Sequence, residues 1–487
     1  MGVTRVLGPN RIKPWLPDQS KLTSQSSGPT SITASAPRML APLTSLEDKV
    51  VLAGRSVYYG ALLYAGYLSG GLWLTVAVQA LSVAYVLQLL MVRLWGLPER
   101  QALGVIVALS FLSPLAVYTG FLMPDIFAPL VILSVGALAV YWQQLQRRDR
   151  WILSALLLFG LSAHASHLAL ALSMLVLLLS ARLIATRWHR LSLIGLTVVA
   201  GCMVGALAAE WAFNKAVTAA VGAPPLRLPH PMARLIDLGP GTQYLKQRCP
   251  AVGYAACAYV QNYPTGWEDF LFSTDPAKGS FALADVATKR RMSSEQIGFF
   301  VDVLRYDPVG VIGGIGADVL RQLAKFQVDI WGYGENNVTK YYAGRVPDSV
   351  FTDLQASRAA HSSPFNVWLT IATYVSVIAS IGMIALWGWR QTRAGGTLPM
   401  NPAERQLADF VWIAIAGVVA NAVVCASLAS SLDRFQARVI WLVPFFAMAL
   451  LAVSRARHLS PSAAEVAAAS FSAAPPPDSP PFKEIPL

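Results

Sequence analysis

Residues 151–183 read WILSALLLFGLSAHASHLALALSMLVLLLSARL, an apolar run interrupted only by the patch Ser162–Ala163–His164–Ala165–Ser166–His167. One upright helix crosses a bilayer in about 20 residues, so the run is too long for a single such span. It reads either as two shorter helices meeting at the patch or as one long tilted helix. Basic clusters decide between them. Arg147, Arg148 and Arg150 precede the run, and Arg182, Arg187 and Arg190 close it. Arg-rich loops stay on the cytoplasmic side of a membrane. A single span would export one cluster, so the hairpin is preferred.

Similar apolar runs lie on either side of the hairpin, at Leu72–Trp95, Ala102–Phe121, Ile126–Gln144, Leu191–Glu210, Phe365–Trp389, Phe410–Ser430 and Val439–Ser454. The 487 residues are 55% hydrophobic and 13% charged. Soluble domains carry about 25% charged residues. One large water-soluble domain is therefore excluded, and so is a disordered chain, which needs low hydrophobicity. The predicted fold class is all-α: a polytopic transmembrane helical bundle with a small, mostly helical extracytoplasmic insertion. The net charge of +12 sits largely in the connections marked by Arg93 and Arg100, by the two clusters above, by Arg390, Arg393 and Arg405, and by Arg455 and Arg457. Those loops read as cytoplasmic, and nucleic acid is not an expected partner.

The chain divides into five segments: a disordered lead over 1–50, a transmembrane region over 51–210, an extracytoplasmic domain over 211–363, a second transmembrane region over 364–455 and a disordered cytoplasmic tail over 456–487. Helical spacing recurs in the domain around Met292–Tyr306 and Val311–Phe326. This topology puts Gly54–Gly71 outside, yet residues 1–50 hold no helix to carry the chain across. Either the N-terminus is exported unaided or a first helix is absent from the chain; the second reading is preferred.

Charged side chains at membrane depth cost about 2.5–3.5 kcal/mol on insertion scales, so each needs a reason. Asp125, in Met123–Pro124–Asp125, caps a helix start or belongs to a site. His164 and His167 share a helix face and are either packed neutral or, protonated, donors to a phosphate. Arg434 and Arg438 stand at the outer face against the positive-inside trend, paired with Asp433 or with a phosphate. Asp48 and Arg55 lie on the same side. Cys249 and Cys257, in CPAVGYAAC, lie where disulfides persist, and the alternative is two buried thiols. Cys202 and Cys425 read as packing residues, and Trp267, Glu268, Asp269 and Asp237 as structural.

Three stretches resemble the GT-C superfamily of multi-spanning glycosyltransferases: Arg55–Ser56–Val57–Tyr58–Tyr59–Gly60 before a span, Met123–Pro124–Asp125 leading into the broken hairpin, and Asp433–Arg434–Phe435 before the last span. The chain also resembles bacterial membrane proteins with the same Met-Pro-Asp and Asp-Arg-Phe-Gln-Ala-Arg elements, which implies the bacterial inner membrane. The GT-C resemblance implies sugar transfer from a polyprenyl-phosphate donor to an extracytoplasmic glycan, lipid or protein acceptor. Asp48 or Asp125 would then serve as general base. Arg55, His164, His167, Arg434 and Arg438 would bind and stabilise the phosphate. Some relatives use a divalent metal, for which no ligands are assignable here. The family's catalytic carboxylate lies after a first helix that this chain does not display, which leaves Asp48 as its nearest counterpart. A transporter or flippase for a lipid-linked substrate and a non-catalytic assembly subunit are the alternatives.

Overall fold

The computed structural model describes residues 50–53, 56–69, 71–328, 338–339, 342–343, 346–357, 360–361, 364–393 and 402–459. The first part comprises α1 (Val57–Leu68), α2 (Trp73–Gln88), α3 (Glu99–Leu112), α4 (Leu115–Gly120), α5 (Phe127–Tyr141), α6 (Arg147–Ala163), α7 (Ala165–Ile184) and α8 (Leu193–Val221). A middle part holds α9 (His230–Leu238), α10 (Pro240–Arg248), α11 (Trp267–Phe272), α12 (Val286–Tyr306), α13 (Pro308–Ala324) and α14 (Asp348–Ala356). The chain then forms α15 (Pro364–Arg393), α16 (Pro402–Leu428), α17 (Asp433–Ile440) and α18 (Leu442–Leu459). Among the described residues there are no strands, only an isolated bridge between Leu52 and Leu226.

Among the described residues, seven helical stretches are long and apolar enough to cross a membrane: Trp73–Leu94, Pro124–Tyr141, Ala165–Ile184, Leu193–Val221, Pro364–Trp389, Ala403–Leu428 and Asp433–Val453. Helices suit lipid because every backbone group is satisfied within the segment. The protein is an all-α, multi-pass helical bundle. Its central member is the Pro124–Tyr141 stretch, 94% buried inside the protein, whose helix α5 is apolar around its whole circumference. A helix with no polar face belongs in the middle of a bundle.

Glycines set the closest approaches to this centre. A Cβ on Gly195 of α8 would stand 1.9 Å from the Leu138 carbonyl oxygen. One on Gly160 of α6 would meet Val131 at 3.0 Å. Polar pairs then sort the bundle into two ends. At the basic end Asp149 accepts from Tyr85 and Arg93 at 2.7 and 2.9 Å, and Arg187 pairs with Asp409 at 2.9 Å. At the far end the Ser56 hydroxyl donates to the Ser162 carbonyl.

The broken run 151–183 is an antiparallel hairpin, α6 rising to the far end and α7 returning to the basic end. Other expectations need correction. The run Ala102–Phe121 passes from the basic end to the far end but is not one continuous helix: α3 stops at Leu112 and α4 starts at Leu115, because Pro114 cannot donate to a continuing helix. The stretch Gly54–Gly71 contains α1, which is too short to span and turns back into α2 with Thr75 bonded to the Leu62 carbonyl. The boundary at 210–211 falls inside α8, which continues to Val221.

The middle part has its own hydrophobic core, built from Leu235, Phe270, Phe281, Phe299 and Val303 among others. Val50 joins that core, and Ala53 and Leu226 exchange backbone hydrogen bonds with the segment opposite. A buried ionic junction docks this cap on the bundle. Arg234 of α9 pairs with Asp318 of α13 and Asp237, while its Nε–H donates to the Ala426 carbonyl at 2.9 Å.

Candidate functional site

Pro124 opens a short 3₁₀ turn, Pro124–Ile126, whose fixed φ leads into α5. Asp125 therefore sits at the positive end of the central helix, and because that helix is central, its carboxylate is 98% buried. The charge is compensated from α17. Arg434 donates through Nε and Nη2 at 3.3 and 2.9 Å, and Arg438 through Nη1 at 3.3 Å. Four residues apart, the two arginines present one helix face.

Arg438 is 99% buried. Its Nη2 donates to Asn421 Oδ1 at 2.9 Å and lies 3.4 Å from the Ser166 hydroxyl and 3.3 Å from Cys425 Sγ. Nε of Arg438 has no hydrogen-bond partner among the described residues. Asn421 in turn donates to the Phe435 carbonyl at 2.7 Å and to Gln436 Oε1 at 3.2 Å, and Tyr118 donates to the Arg434 carbonyl. The cluster thus ties α4, the start of α5, the start of α7, α16 and α17 together at the far end.

Among its charged side chains Arg434 is the exposed one, at 18%, against 2% for Asp125 and for Arg438. Among the described residues the group holds one carboxylate and two guanidinium groups. Taking such charges out of water costs several kcal/mol per ion, offset only by good geometry and extra hydrogen bonds. Asn421, Ser166 and Cys425 supply those extra contacts.

His164 caps α7, its Nδ1 accepting from the Ser166 backbone N–H at 3.2 Å and lying 2.8 Å from the Ser166 hydroxyl. The His167 ring lies 5.3 Å from that of His164. His167 is fully buried, and its Nδ1 proton goes to the Gly160 carbonyl at 2.8 Å. It has no surface to offer a phosphate in this conformation. Both Asp125 oxygens are occupied by guanidinium, so a general-base role would require that pairing to open. Asp433 is not the arginines' ion-pair partner among the described contacts; it accepts from the Gln327 backbone N–H. Asp48 and Arg55 lie outside the described residues.

Asn421, Ser166, Tyr118 and Gln436 are members of the cluster that the sequence reading misses. Asn421 carries a signal, since an amide inside an apolar run demands a partner. Cys425, read as packing, touches Arg438. Cys249 and Cys257 are joined by a disulfide. In the cap, Asp237 serves the Arg234 junction, and Trp267 stacks on His230 at 5.4 Å beside the core residues Phe270 and Leu271. Among the described residues no three His, Cys, Asp or Glu side chains gather as a metal-holding group. Set beside family models, curated proteins and solved structures, the chain matches none of them.

Proposed function

We propose that this multi-pass membrane protein binds the phosphate of a polyprenyl-linked sugar at the end opposite its basic loops, and transfers the sugar to an extracytoplasmic glycan, lipid or protein acceptor. The observation that carries the reading is the gathering of Asp125, Arg434 and Arg438, two guanidinium groups on one carboxylate among the described residues, with Arg434 as the least buried of the three. A planar guanidinium suits a phosphate oxygen pair. Its location against the positive-inside trend gives that charge a need for an anion. The sugar-transfer step rests on the GT-C resemblance, in a bacterial inner membrane with the site on the extracytoplasmic face.

Within this reading Asp125 is a positioning residue that aims both arginines. The general base falls to Asp48, whose carboxylate would take the proton of the attacking hydroxyl. The burial of Asp125, Arg438 and His167 favours a second reading, in which the cluster is a structural latch in a non-catalytic assembly subunit.

The two separate by binding. Purified protein in nanodiscs is titrated with polyprenyl phosphate and with the uncharged polyprenol, as wild type, Arg434→Ala and Arg434→Lys. Phosphate-dependent binding that falls at least about tenfold in Arg434→Ala, the loss of roughly one charge-assisted hydrogen bond, supports the lipid-phosphate site. Equal binding of the two lipids, or an unaffected Arg434→Ala, leaves the latch.

A further inference from the structure

The helix α13 wears its side chains inside out for a water-exposed domain. Its sequence, PVGVIGGIGADVLRQLA, contains two charged residues. Of its polar side chains, Asp318 and Gln322 are buried, the first against Arg234 and the second exchanging hydrogen bonds with the Leu432 backbone, while Arg321, 62% exposed, reaches back to Asp318 at 2.7 Å. Val309, Ile312 and Leu320 point outward at 81%, 65% and 71% exposure. On the neighbouring helix, Ile297 of α12 is 64% exposed. Val309, Ile312 and Leu320 fall on one side of α13 at helical spacing. A helix facing water would carry charge there.

The segment Lys325–Val328, directly after α13, fixes the depth of the helix. Phe326 stacks on Tyr374 of α15, ring centroids 4.0 Å apart, and the Tyr374 hydroxyl donates to the Ala324 carbonyl at 2.9 Å. The Val328 N–H donates to Thr370. Tyr374 lies within the apolar stretch that begins at Pro364. Lys325 Nζ meanwhile bonds the Ser431 carbonyl in the turn between α16 and α17. On α15 itself Ile371 and Val375 also point outward, 60% and 62% exposed.

We propose that α13 is not part of a water-bathed cap but lies in the membrane surface, with Val309, Ile312 and Leu320 seated in the acyl region of the leaflet at the far end. Interfacial helices bury an apolar face about 5–10 Å into the headgroup–acyl boundary, and the burial of Asp318 and Gln322 on the protein side leaves α13 with the matching amphipathicity. The lipid surface is the occupant because the segment directly after α13 is bonded onto a helix long and apolar enough to cross a membrane and Val309, Ile312 and Leu320 offer no charge to recognise a polar partner. The inference needs the spans alone and stands whether or not the chain transfers sugars.

Nitroxide labels test it. Ile312→Cys, Leu320→Cys and, as an aqueous control, Lys278→Cys are labelled one at a time in the full chain, in phosphatidylcholine nanodiscs. Wild type is labelled in parallel to subtract any signal from Cys202 and Cys425. All three positions are exposed, so the substitutions leave packing intact. The expected result is collision with oxygen exceeding collision with a water-soluble nickel chelate at 312 and 320, and the reverse at 278. Chelate access at 312 and 320 would overturn the proposal in favour of solvent. Protection from both reagents would overturn it in favour of a protein partner.

Discussion

Asp125 and Arg434, 309 residues apart in the chain, meet through two hydrogen bonds of 3.3 and 2.9 Å. The contact joins the first turn of the central helix to the first turn of α17. It closes the far end of the bundle, and it leaves Arg434 as the exposed member of a three-charge group.

Asp125→Asn keeps the shape of the side chain but removes its charge, leaving two guanidinium groups with Arg438 sealed in the interior. Removing one partner of a buried pair costs about 3–5 kcal/mol. A large drop in the detergent unfolding midpoint is therefore expected. The double variant Asp125→Asn, Arg438→Met removes the stranded charge as well and is expected to recover part of the loss. Thermal unfolding in one detergent compares the three proteins. A double variant no better than Asp125→Asn would mean that the buried Arg438 charge is not the source of the cost.

Much of this bundle is legible in the sequence because lipid imposes one simple rule. Apolar length gives the spans, so Phe365–Trp389 reappears within α15 and the polar patch at His164 marks the hairpin turn. The failures have physical causes. Pro114 breaks a run whose hydropathy alone reads as continuous. Asp125 and Arg434 pair across 309 residues, and hydropathy carries no information on which helices are neighbours; the nearer Asp433 is the natural candidate from sequence. The exposed row of α13 escapes such a reading because its helical spacing fits a buried face as well as a lipid-facing one, and only the packing of Asp318 and Gln322 tells them apart.

Two glycines of α8 should behave in opposite ways. A Cβ on Gly195 would stand 1.9 Å from the Leu138 carbonyl oxygen, whereas one on Gly201 would meet nothing within 4 Å. Gly195→Ala forces α8 away from α5, and overpacking of this kind costs about 1–3 kcal/mol. Gly201→Ala gains helix propensity, worth up to roughly 1 kcal/mol in water. Unfolding midpoints of the two variants should fall on either side of wild type. A tolerated Gly195→Ala would show that α5 and α8 do not approach this closely.

The disulfide should act on the cap alone. Cys249 and Cys257 close a loop eight residues long that carries Tyr254, whose hydroxyl donates to Asp302 at 2.6 Å, and Ala255, whose N–H donates to Glu295 at 2.8 Å. Loop-closure entropy puts such a bond at roughly 2.5 kcal/mol. Cys257→Ser is expected to raise amide hydrogen exchange in 249–262 and in the facing part of α12, leaving α5 and α16 unchanged. Equal acceleration across the spans would mean that cap and bundle unfold as one unit.

The Arg234 junction should give the cap a pH dependence. Burial pushes the Asp237 carboxyl above its ordinary value, outweighing the guanidinium of Arg234, which pulls the other way. The folded form therefore holds this proton at pH values where the unfolded chain has released it. Stability falls as pH rises wherever the native state binds more protons. Asp237 thus contributes a loss that begins near pH 4, the usual aspartate range, and is complete above its raised folded value. Asp237→Asn cannot titrate, and Arg234 keeps Asp318 as its partner. Amide exchange of α9 monitored from about pH 4 to 7, corrected for intrinsic rates, should show protection declining more in wild type than in Asp237→Asn. Parallel profiles would show that Asp237 keeps an ordinary carboxylate in the folded cap.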